Sequence, residues 1–232
     1  MKKQVFLILL LAISCNNSEN GEIESNDHFA ICTEILGHYC SEFEGEYCLF
    51  GYKWGGNERF TSAGMNAAGP MEAGGVVTFS FQEKNGVVHT HRQVNVPSES
   101  FDIHIDCAKE ETIKALQAWS KYADIEFRQQ ADNSDSDIKI FSAYVNTGGI
   151  GFPNIEIPDC AAVAGQIILD PSYANITTCK PFFNYALHEI GHTLGLGHSA
   201  RGNIMGDDIL SSDMDGLQAG DIKGIIEIYG NK

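Results

Sequence analysis

Residues 188–198 read HEIGHTLGLGH, and no other stretch restricts the chain as much. Three of its eight histidines fall within these eleven residues. The segment Phe182 to Gly195 has helical character, so His188 and His192, four apart, share one face about one turn apart. Two neutral imidazoles at that spacing can both reach a zinc ion at about 2.0–2.1 Å. A continuing helix cannot bring in a third. It would carry His198 about 9 Å further along the axis and well round the cylinder. Gly195 stands three residues after His192, where a left-handed residue would end the helix and return His198 to the other two.

Glu189 lies next to the first histidine, roughly 100° round the helix. It is placed to hydrogen-bond a zinc-bound water rather than to bind metal itself. Three protein ligands leave one position open, as in zinc centres that do chemistry. Such a metal polarises a carbonyl and acidifies its water, and the carboxylate can relay the proton to a leaving amine. The spacing therefore points to metal-assisted peptide hydrolysis without a covalent intermediate. The bland reading is a buried helix whose histidines are satisfied by hydrogen bonds. H-E-x-x-H alone arises by accident in about one chain in a few hundred, and the fixed x-x-G-x-x-H extension makes accident several hundredfold rarer.

The stretch resembles the signature of the metzincin zinc endopeptidases, H-E-x-x-H-x-x-G-x-x-H. Met205, in NIMG, stands where that family has the methionine turn beneath its zinc. Ser199 after the third histidine, ALQAWSKYADIEF (115–127), SDIKIFSAY (136–144) and GDIKGIIEIYG (220–230) are similar to the matrixin branch. The similarity spans roughly residues 52–230. It implies an α+β fold of the metzincin type: a twisted, mixed five-stranded sheet with about three helices and a zinc cleft along an edge strand. GGIGFP (148–153) looks like that edge strand, which in matrixins pairs with extended substrate. The stretch after Met205 would form the wall of a specificity pocket. The resemblance is incomplete. Ile168 stands where a structural-zinc histidine would be, so one catalytic zinc is expected. Asp170 and Asp137 are the candidates for calcium ligands. Gly206 and Asp207 follow Met205 in place of Tyr–Pro, and no cysteine-switch motif is present. Serralysins, which add a tyrosine ligand at the position of Asp207, and astacins fit less well.

The remaining sequence sets the context. Lys2 and Lys3, an apolar run Val5 to Ile13 and Ser14 read as a signal peptide over 1–14. LAISC resembles a lipobox, with Cys15 lipidated. Residues 15–27 read as a polar, acidic tether, residues 28–50 as a cysteine-containing N-terminal appendage or pro-segment, and 51–232 as the protease-like domain. The expected location is outside the cytoplasm, as an outer-membrane or cell-surface lipoprotein or a secreted protein. Discounting Cys15, six cysteines remain, enough for three disulfides in an exported chain. Cys160 with Cys179 is the first pairing to expect, because the two flank one strand. Strands are expected at Gly74–Phe81, Val87–Val96, Ile125–Phe127, Ser136–Tyr144 and Gly165–Asp170, the second of them hairpin-paired to the first through Lys84–Gly86. Helices are expected at Cys107–Ala123, Phe182–Gly195 and Asp221–Gly230. His89 and His91 share one face of a strand and read as surface residues. A formal charge of −16 disfavours nucleic acid as a partner. The expected partners are protein or peptide substrates, a membrane is reached only through the lipid, and the enzyme is expected to be a monomer. The rival from another class is a surface-anchored binding or adhesion protein with a vestigial zinc site. Glu189 argues against it, because binding has no need of that carboxylate.

Overall fold

The computed structural model describes residues 45–55, 71, 73–83, 86–88, 96–146, 148–155, 160, 162–206, 209 and 214–232. The expected signal peptide, Cys15, the expected tether, residues 28–44 of the expected appendage, His89, His91 and Asp207 lie outside them. Among the described residues, no helix is long and apolar enough to cross a membrane.

The strands in chain order are β1 (Cys48–Leu49), β2 (Gly75–Gln82), β3 (Val87–Val88), β4 (Val96–Pro97), β5 (Ile125–Gln129), β6 (Ile138–Ser142), β7 (Ile150–Gly151), β8 (Gln166–Leu169) and β9 (Leu196–Gly197). The helices are α1 (Ala108–Ser120), α2 (Cys179–Thr193) and α3 (Ala219–Tyr229). The main sheet has the order β5-β2-β6-β8-β7. Its first three pairings are parallel and the last, β8 with β7, is antiparallel. This is the expected α+β architecture: a mixed five-stranded sheet, three helices and a short strand at one edge.

Side-chain chemistry explains the layers. All four residues of β8 are buried, as suits an inner strand covered on both faces. Helix α1 buries Thr112, Ala115, Leu116 and Trp119 at helical spacing and carries Glu110 and Glu111 in its first turn, where the helix dipole favours acids. In α2 every residue from Asn184 to Thr193 is buried, so this helix lies inside the molecule. One continuous core joins Phe79, Phe81, Ile138 and Ile140 of the sheet to Leu116 and Trp119 of α1, Leu187 and Ile190 of α2, and Ile225 and Ile228 of α3. The indole of Trp119 donates to Leu187 O at 3.1 Å, which fixes α1 against α2.

Two expectations need correcting. Cys179 is bonded to Cys107, not to Cys160, and Cys48 and Cys160 are each disulfide-bonded as well. The reason is layering. Cys160 packs in an apolar cluster with Phe50 and Phe152, and β8 then carries the chain away to the start of α2, beside the start of α1. The segment Val87 to Val96 is not one strand. Val87–Val88 pairs antiparallel with Val96–Pro97 rather than with β2. Ser98 closes that ladder: its N–H donates to Gly86 O at 3.0 Å, and its Oγ accepts from Gly86 N–H at 2.7 Å.

Candidate metal centre

Helix α2 delivers His188 and His192, both buried, to one side. It ends at Thr193, and Gly195 follows with φ at +101°, in the region an L side chain seldom adopts. The chain turns there, and β9 leads back to His198, which is exposed. The ring centroids of the three histidines lie 4.6, 5.2 and 4.8 Å apart. One nitrogen from each falls within 4.8 Å of the other two.

Hydrogen bonding fixes which nitrogens face inward. Nδ1 of His188 is 2.7 Å from Ile204 O, and Nδ1 of His192 is 2.8 Å from Leu196 O. A carbonyl only accepts, so each Nδ1 carries the proton and each Nε2 presents a lone pair. These two Nε2 atoms stand 3.1 Å apart. Neither can donate to the other, whereas ligands of one tetrahedral zinc sit about 3.3 Å apart. Burial, followed by the neighbouring His188 and His198, holds His192 well below its ordinary pKa, against the opposing pull of the Leu196 carbonyl. It is therefore neutral, as a metal ligand must be. The donor set fits zinc.

Glu189 is buried, and its Oε2 has no hydrogen-bond partner. Burial pushes its carboxyl up to about 8. A cation held by the three histidines would supply the counter-charge that favours the ionised form. The edge strand lies directly on this carboxylate: a Cβ on Gly149 would fall 2.2 Å from Glu189 Cδ and Oε1. Only glycine permits that approach.

Met205 is buried beneath α2. Its sulfur occupies the space a side chain at Gly191 would need, since a Cβ there would lie 2.3 Å from Sδ. The local spacing gave Gly191 no role, because its reason is this distant contact. Asp221 was also missed. Its buried carboxylate accepts from the backbone N–H groups of Ile204, Met205 and Gln218 at 2.8, 3.0 and 2.8 Å. It thereby fixes Ile204, whose carbonyl orients His188. Burial raises the Asp221 pKa against these three bonds. An acid in the first turn of a helix was readable as a cap, but not as a support for a turn some sixteen residues earlier.

The calcium candidates are engaged by donors of the chain itself. Asp170 Oδ2 accepts from the N–H groups of Val145 and Asn146, both at 2.9 Å, and Oδ1 accepts from Ser172 N–H and Oγ at 2.8 and 2.7 Å. Asp137 Oδ2 accepts from Thr78 N–H and Oγ1 at 2.7 and 2.6 Å. Among the described residues, the other cluster of metal-binding side chains is Cys107, Glu111 and Cys179, whose two sulfurs form the disulfide.

Comparison with known proteins agrees with this geometry. The matrixin model of peptidase family M10 matches residues 161–230, which include both ends of the centre: the three histidines with Met205, and Asp221. This stretch is matrixin-like. The chain is also 30% identical over 161 residues to human matrix metalloproteinase-26, a match covering 62% of this chain and 58% of that protein.

Proposed function

We propose that this chain is a zinc-dependent endopeptidase of the matrixin type, exported and held at a membrane surface by lipid on Cys15. One observation carries the enzymatic part. Two buried imidazoles face each other at 3.1 Å through nitrogens whose protons have gone elsewhere. Such an arrangement calls for a cation. The likeness to the matrixins, including a protein named as a metalloproteinase, supports the same reading.

Zinc, when bound, supplies a Lewis acid and lowers the pKa of a coordinated water toward about 7. The chain's own groups do the rest. His188 and His192 are locked in one tautomer by backbone carbonyls, which holds their lone pairs in place. Glu189 Oε2, unpartnered and buried, takes a proton from the attacking water and returns it to the leaving amine. Among the described residues, strand β7 is paired on one side only, by β8, so an extended peptide can add to its other edge. Such pairing is tolerant of sequence and suits a protein substrate. A binding-only role leaves the buried Glu189 carboxyl, held at a cost in desolvation, without a purpose.

Cleavage of casein or gelatin by the purified chain tests the proposal. Hydrolysis should disappear on chelation and return with zinc. Glu189→Ala should cut kcat by about 10²–10⁴-fold while the protein still holds stoichiometric zinc. Undiminished cleavage by the variant, or a well-folded protein that takes up no zinc, would refute it.

A further inference from the structure

Residues 45–54, which span the end of the N-terminal appendage and the first residues of the protease-like domain in the sequence reading, run antiparallel to the bend that carries His198. In the pairing of β1 with β9, Cys48 stands opposite Gly197 and Leu49 opposite Leu196. The ladder extends both ways. Phe50 N–H donates to Gly195 O at 2.8 Å, and Ala200 N–H donates to Gly45 O at 3.0 Å. Beyond it, the Trp54 indole donates to Thr193 O, the last residue of α2, at 2.9 Å. At the opposite end the Asn203 amide donates to Glu46 O at 3.3 Å. The fit is close: a Cβ on Gly195 would lie 2.1 Å from Tyr52 O, and one on Gly220 would lie 2.1 Å from Glu46 O.

This segment contacts one ligand, His192, and pairs with the residue before another, His198. The ring of Phe50 stacks on His192 with centroids 5.5 Å apart and planes at 24°. Leu49 is paired to Leu196, whose carbonyl holds Nδ1 of His192. Cys48 is paired to Gly197, the residue before His198. Without a neighbour, the stretch 195–200 would be a bare loop that had to become ordered each time metal bound. A ladder built beforehand removes that ordering cost from binding.

We propose that residues 45–54 are a positioning strap of the metal centre, with Phe50 acting through His192, so that the strap raises metal affinity and belongs to the working enzyme. A processing cut that leaves the centre intact then falls before Gly45. The inference rests on the zinc reading above.

The test uses the full chain and two readouts other than activity: the zinc dissociation constant from competition with a chromophoric chelator, and the visible absorption bands of the cobalt-substituted protein. Phe50→Leu keeps an apolar side chain and removes the ring, while Phe50→Tyr keeps the ring. The leucine variant should bind zinc about tenfold or more weakly, as loss of a ligand-supporting contact does, and its cobalt bands should shift. The tyrosine variant should match the parent in both. Gly220→Ala pushes the strap from its other end, together with the Asn203 side chain that bonds it, without touching a ligand, and should also weaken binding. Val163→Ala thins the same apolar cluster as Phe50 and should leave affinity unchanged. Parental affinity and spectrum in both Phe50→Leu and Gly220→Ala overturn the inference, as does an equal loss in Val163→Ala. If Phe50→Leu fails to fold, Phe50→Met, which keeps an unbranched apolar side chain in place of the ring, decides. A parent that binds no metal refutes the zinc reading and this inference together. A parent that binds metal, with variants that bind it equally well, refutes the inference alone.

Discussion

Gly191 has two opposing effects on stability when replaced by alanine. In an isolated helix the change should stabilise by about 1 kcal/mol. Here the added methyl would meet Met205 Sδ at 2.3 Å and the Trp119 ring at 3.0 Å. Both neighbours are buried, and overpacking of that kind costs about 1–3 kcal/mol. Gly191→Ala should therefore lower the stability of the metal-free protein by up to about 2 kcal/mol in urea unfolding. A variant about 1 kcal/mol more stable than the parent would show that Met205 moves aside freely and is not a fixed floor. Asp221 poses a complementary case. Asp221→Ala leaves three backbone N–H groups without their acceptor, at about 1–3 kcal/mol for each that stays buried. The expected loss is roughly 3–5 kcal/mol by the same measurement, together with weaker zinc binding, because Ile204 no longer holds His188 in place. Unchanged zinc affinity in a destabilised variant would confine Asp221 to stability alone.

Helices were easier to read than the contacts between elements. Each helix lies within a few residues of its expected span, because its apolar period is printed in the chain itself. The bent histidine segment was legible for the same reason: His188, His192, Gly195 and His198 are local in sequence, and simple helix geometry orders them. The strap was not, since Leu49 pairs with Leu196 and nothing near either residue announces the other. Val87 to Val96 reads as one strand from its valines, although its two ends, β3 and β4, pair antiparallel with each other. The disulfide is hidden for the same reason, because two cysteines that flank one strand in sequence stand apart by the length of that strand in space. The observed bond joins the N-terminal ends of α1 and α2 across 72 residues. A cross-link of that span is worth about 4 kcal/mol in the loop-entropy account. Replacing Cys107 and Cys179 together by serine should lower stability by up to that amount. The loss should appear mainly as faster unfolding if the helix pair docks late in folding. A double variant within about 0.5 kcal/mol of the parent would show that packing of Trp119 on α2 suffices to hold the helices.

Across the whole molecule, burial that shapes the core also sets how stability responds to acid. His104 stands between the rings of Phe101 and Phe182, at centroid distances of 5.5 and 5.4 Å, and its Nε2 has no hydrogen-bond partner. Burial lowers its pKa to about 4, against the opposing charge of Asp170. The unfolded chain binds this proton below about 6.5 and the native protein only below about 4. Between those values acid therefore favours unfolding, and the stability present above pH 6.5 is lost as the pH falls toward 4. A gap of that size is worth about 3 kcal/mol in all. Glu189 works in the other direction: its raised pKa makes the native protein the better proton binder between about 4.5 and 8, so the total curve mixes both. The difference between parent and His104→Phe isolates the histidine, because phenylalanine suits the aromatic surroundings and carries no proton. Urea unfolding of the two metal-free proteins at intervals from pH 7 to pH 4 should show the variant gaining on the parent by up to about 3 kcal/mol as the pH falls. Parallel curves would mean that His104 is protonated in the native protein, and that the aromatic wall around it opens to water before the fold is lost.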